Sequence, residues 1–126
     1  MQNYSKERGT FVQFLPRHTM TDIIVVLTTV PDNEQAESLA RQLVEERLAA
    51  CVNLHSMMLS FYRWKGRVER DAERQLVIKT TSDRLPALEA RLRELHSYEV
   101  PEFLVLSVDQ GGEAYLSWVA DQTRTG

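Results

Sequence analysis

Cys51-Val52-Asn53-Leu54-His55-Ser56-Met57-Met58-Leu59-Ser60-Phe61-Tyr62-Arg63-Trp64 contains no turn signal, and Lys65-Gly66 follows it directly. Met57, Leu59 and Phe61 alternate with Met58, Ser60 and Tyr62, the two-residue period of a strand. The stretch therefore reads as one long strand, with a bulge expected near His55. Gly66 tolerates the positive φ that a tight hairpin demands. The chain should return as a second long strand through Val68, clearest at Leu76-Val77-Ile78-Lys79-Thr80.

Upstream, Ile23 to Val30 is a near-continuous β-branched run, which suggests a central strand buried on both faces. Pro31 ends it, and Asp32 with Gln35 resembles a capping box opening a helix. Ala36, Leu39, Ala40, Leu43, Val44 and Leu48 then recur at three- and four-residue steps, giving that helix one buried face. Downstream, Ser82 or Asp83 caps a second helix, Pro86 fits its first turn, and Leu85, Leu88, Leu92 and Leu95 form its stripe. That helix should end around His96 and Ser97. A loop through Pro101 leads to a fourth strand over Phe103 to Val108, and Tyr115, Leu116, Trp118 and Val119 suggest a short terminal helix after Gly111-Gly112.

The order β-α-β-β-α-β is the ferredoxin-like arrangement, an α+β fold with both helices on one face of an antiparallel sheet. The other face is left bare. A strand over residues 51 to 64 extends roughly 45 Å, whereas a helix over residues 33 to 48 covers roughly 24 Å. The hairpin therefore overshoots its own helical layer, and Tyr62 and Trp64 near its tip would be awkward left in water. A neighbouring copy of the same chain is the simplest cover.

The 126 residues suit one domain. Residues 20–126 are assigned to it, and residues 1–19 to an N-terminal extension, disordered or not native. A net charge of -3 gives no positive field for a polyanion, which argues against a nucleic-acid partner. No apolar run approaches the roughly 18 residues of a membrane span. The one cysteine, Cys51, cannot form an internal disulfide, in keeping with a reducing compartment.

Catalytic signatures are missing: no serine sits in a nucleophile elbow and no glycine-rich phosphate loop occurs. Metal donors are scattered over Cys51, His18, His55 and His96 without a recognised spacing. Cys51 and His55 would stand roughly 13 Å apart on one strand. The segment His96-Ser97-Tyr98-Glu99-Val100-Pro101-Glu102 is the loop densest in polar chemistry. It could bind a cation, although His96 facing a helix C-terminus has a sufficient structural explanation. Lys79, a charge in mid-strand, could pair with Glu73, Glu99 or Glu102 or hold an anion, and pairing at a subunit interface is the favoured use.

Read together, Thr29-Val30-Pro31, Leu48-Ala49-Ala50-Cys51-Val52-Asn53 and Tyr62-Arg63-Trp64-Lys65-Gly66 resemble the CutA divalent-cation tolerance proteins. The resemblance continues through Glu73, Leu76-Val77-Ile78-Lys79-Thr80, Tyr98-Glu99-Val100-Pro101-Glu102 and Tyr115-Leu116-Ser117-Trp118, and covers about residues 22 to 120. It implies a homotrimer built through long hairpins like that of PII signalling proteins. It also implies cytoplasmic location, a response to copper and other divalent ions, and binding rather than enzymatic activity. Of the three positions that hold copper in such proteins, this chain has Thr28, Leu95 and His96, so His96 alone keeps a metal donor. The resemblance thus points to His96 for Cu(2+) or another divalent cation. Tyr62, Trp64, Lys79, Tyr98, Glu99 and Glu102 are expected near a polar pocket between subunits. The alternative is a PII-like sensor of a small anionic ligand.

Overall fold

The computed structural model describes residues 21–125. The N-terminal extension assigned to residues 1–19, and His18 with it, lies outside the described residues. The elements are β1 (Ile23–Pro31), α1 (Gln35–Glu45), β2 (Cys51–Leu54), β3 (Met58–Trp64), β4 (Arg67–Thr81), a single 3-10 turn (Ser82–Arg84), α2 (Leu85–Leu95), β5 (Leu104–Ser107) and α3 (Glu113–Gln122). The antiparallel sheet runs β2-β4-β1-β5, and β3 continues beside β4 beyond β2. This is the expected ferredoxin-like α+β order.

The hairpin forms as its turn chemistry dictates. Lys65 at φ 51° and Gly66 at φ 80° both lie in the left-handed region, the pair of conformations a two-residue type I′ turn requires. The first arm is interrupted: Leu54 pairs with Leu76 but Met58 with Glu73. Residues 55–57 therefore oppose only two residues of β4, a one-residue bulge at the expected place. With 15 residues, β4 runs about 50 Å, while the 11 residues of α1 span about 16 Å. The overshoot is larger than the sequence suggested.

That difference comes from where α1 stops. Its helix ends at Glu45, and Arg47 takes φ 59°, while the amides of Arg47 and Leu48 return to the carbonyls of Val44 and Leu43. This is a Schellman motif with arginine where glycine is usual. Leu48 is buried from beyond the helix end, and Val44 is 41% exposed. At the other end Asn33, not Asp32 with Gln35, supplies the cap: its Oδ1 accepts the Gln35 amide at 2.9 Å.

Val26, Leu43, Leu76, Ile78 and Leu88 have no solvent exposure and form the core between the sheet and the two long helices. Burying each such side chain contributes about 1.5–3 kcal/mol. On the helix-free face, α3 covers one end through Val119 against Ile23 and Ala50. The rest stays open. Val25 and Leu27 are only half-buried, contrary to the expectation for the first strand, and Leu104 and Leu106 of β5 are 53% and 51% exposed.

Candidate functional site

β5 pairs with β1 only over Ile24 to Leu27, so the last residues of β1 need other hydrogen-bond partners. They find them in side chains. Gln75 Nε2 donates to the Thr28 carbonyl at 2.7 Å, and the His96 ring lies 2.6 Å from the Thr29 carbonyl through Nε2. The Tyr98 amide donates to His96 Nδ1 at 3.1 Å. An amide can only donate, so Nδ1 is the acceptor and Nε2 carries the proton given to Thr29. Both ring nitrogens of His96 are therefore engaged by backbone. The His96 and Tyr98 rings add a contact at 4.7 Å between centroids.

This anchoring brings the loop of residues 97–102 over the root of the hairpin. There Tyr98 donates its hydroxyl to Glu73 Oε2 at 2.6 Å, and Gln75 Nε2 donates to Glu102 Oε2 at 3.0 Å. Further along the arm the Tyr62 hydroxyl donates to Asp71. Burial, and then the bond to Glu73, hold the Tyr98 phenol well above its ordinary pKa. The bond to Asp71, followed by burial and the nearby charges of Asp71, Glu69 and Glu73, pushes Tyr62 up to about 12.

Between loop and hairpin lies a cleft of about 680 Å³. Five of the six residues expected at a pocket line it: Tyr62, Trp64, Tyr98, Glu99 and Glu102. Lys79 does not. Its ammonium bonds to Asn53 across the strands, and it sits roughly 20 Å along β4 from Glu73. Glu73 and Gln75 are among the other residues that line it. A signal for them existed, since the two-residue turn fixes the register and so places Glu73 opposite Met58, on the face of Tyr62.

Among the described residues the ionisable ones lining the cleft are Glu73, Glu99, Glu102, Tyr62 and Tyr98, without lysine, arginine or histidine. Glu73 is 7% exposed. On the other side of the same loop a hollow of about 430 Å³ is lined by Thr28, Arg93, His96 and Phe103 among others. The buried Thr28 hydroxyl there has no hydrogen-bond partner among the described residues, a place an ordered water would satisfy. Cys51 is half-buried on β2, opposite Lys79. Among the described residues no three His, Cys, Asp or Glu side chains converge to hold a metal ion. No described helix is long and apolar enough to cross a membrane.

The profile of the family described as CutA1 divalent ion tolerance protein matches residues 24–122. The divalent-cation tolerance protein CutA of Thermus thermophilus is 48% identical over 99 residues, covering 79% of this chain and 96% of the relative. Mouse protein CutA is 44% identical over 103 residues, 82% of this chain but 58% of that longer protein. Among solved structures, CutA1 from Oryza sativa superposes with a TM-score of 0.80 at 40% identity, covering 86% of this chain and all of the other. The Cut A1 protein of Thermus thermophilus gives 0.78 at 46%, covering 81% and 99%.

Proposed function

Taking as premise that the chain belongs to the CutA1 divalent ion tolerance protein family, we propose that it is a trimeric cytoplasmic protein that binds divalent cations in the ion-tolerance response and catalyses no reaction. The observation that carries the reading is the charge of the cleft. Among the described residues three carboxylates and two phenols line it with no positive side chain, a field that attracts cations and repels anions. The names of the relatives describe tolerance to divalent ions, which agrees with that sign.

The donor chemistry favours one kind of cation. Carboxylate oxygens suit hard ions such as Mg²⁺, Ca²⁺ or Mn²⁺, whereas copper prefers imidazole and thiolate. With Thr28 and Leu95 at two of the three positions implied for copper, the residues present do not fit a three-donor copper centre. His96 would reach a metal only by releasing its bond to Thr29 or to the Tyr98 amide. The alternative, a sensor of a small anion, relies on Lys79, which is held by Asn53 away from the carboxylates. Among the described residues nothing offsets the repulsion an anion would meet in the cleft.

Isothermal titration of the full chain with Mn²⁺, Cu²⁺ and an organic dicarboxylate tests the reading. Mn²⁺ binding that weakens about tenfold or more in Glu102→Gln and stays unchanged in His96→Ala is the expected result. Dicarboxylate binding without metal binding would overturn it. Cu²⁺ binding lost in His96→Ala would restore the histidine as ligand.

A further inference from the structure

The projecting hairpin carries opposite net charge on its two faces. In an antiparallel pair, directly opposed residues share a face. Trp64 opposes Arg67, Tyr62 opposes Glu69, Ser60 opposes Asp71 and Met58 opposes Glu73, so three carboxylates form a row about 7 Å apart on the helix-free side, with Arg67 beside the turn at its end. The alternate positions put Arg63 and Arg70 on the other side without an acid, with Phe61 and Val68, which are 65% and 66% exposed. Among the described residues none of these six charges forms an ion pair within the chain. Among them too, Glu73 is buried with a single hydrogen bond, from the neutral Tyr98 hydroxyl. A carboxylate taken out of water without a cation is costly, which marks a partner charge as missing.

We propose that the two faces are the complementary halves of one contact between copies of this chain, the arginine and apolar face of one protomer's hairpin seated on the acidic face of the next. Packing like against like would oppose charges of the same sign, so a two-fold arrangement is disfavoured. Packing unlike faces is a head-to-tail contact, which closes into a ring when the rotation allows it. The neighbour's Arg70 then supplies the cation that Glu73 and Asp71 lack, leaving Glu99 and Glu102 of the cleft to a divalent ion, and Phe61 and Val68 leave water at the same contact. The inference rests on the homotrimer reading and adds to it which surfaces meet and why the ring has a direction.

Charge reversal at two exposed positions tests it, read by sedimentation velocity over a dilution series, with circular dichroism to confirm folding. Arg70→Glu and Asp71→Arg should each raise the dissociation constant by about tenfold or more, and the double variant should return to within a few-fold of the unaltered chain. Arg70→Ala, which adds no repulsion, gives a second reading should a reversal fail to fold. It should weaken association, the more so at low salt. Unaltered association in Arg70→Ala and in the folded reversals, or a folded double variant that fails to recover, would overturn the inference while leaving the trimer standing. An unaltered chain that sediments as a monomer would instead remove the trimer reading itself.

Discussion

Tyr98→Phe removes one oxygen, the only hydrogen-bond partner of the buried Glu73 carboxylate among the described residues. Hydrogen bonds to charged groups are worth about 1.5–3 kcal/mol, and the lower end applies because Tyr98 itself is half-buried. A loss of about 1.5 kcal/mol should move the urea midpoint down by a little under about 1 M for a slope of about 2 kcal/mol/M. Packing of the ring against His96 is preserved in the variant, so the loss isolates the hydroxyl. The pairing makes a sharper statement. Glu73→Gln keeps shape and removes charge, so the double variant should lose clearly less than the sum of the two single losses, a coupling of about 1 kcal/mol. The assay is urea unfolding by circular dichroism at one fixed protomer concentration, because assembly adds to apparent stability. Additive losses would refute the coupling. A Tyr98→Phe variant as stable as the parent would refute the claim that the hydroxyl compensates Glu73.

Two further outcomes follow from the same coordinates. Tyr62 is raised to about 12 and Tyr98 is raised as well, so the stability they give is complete below the unfolded phenol value of about 10 and is lost as pH rises, through about 12 for Tyr62. Ultraviolet titration should find Tyr62 and Tyr98 resisting ionisation until the fold gives way, and their ionising near the unfolded value would contradict it. On α1, Leu43→Ala should cost about 3 kcal/mol and Val44→Ala less than about 1, since Leu43 is fully buried and Val44 is 41% exposed. Equal losses in thermal unfolding would mean that the helix presents a different face to the core.

The hairpin was the most legible element because its signals are local. Alternation along residues 57–62, a glycine that accepts positive φ and a mid-arm bulge all survive in the structure. The end of α1 was less legible, because Arg47 adopts a left-handed conformation that sequence pattern assigns to glycine. Leu48 continues the helical spacing of apolar residues and yet reaches the core from a turn, so periodicity alone overran the helix. At the site, Tyr98, Glu99 and Glu102 were visible as a polar loop, and Tyr62 and Trp64 as exposed aromatics. Lys79 stands apart from them within the chain, since strand register carries it to Asn53 and away from the carboxylates. Glu73 could have been found by counting back from the Lys65-Gly66 turn, which puts it on the face of Tyr62.

Sedimentation equilibrium of the unaltered chain at micromolar concentration bears most directly on whether the bare face and overhanging arm are sheltered by identical neighbours. The expected particle weighs three times 14.6 kDa and persists on dilution. A stable particle of 14.6 kDa would mean that Phe61, Val68, Leu104 and Leu106 stand in water in the working protein.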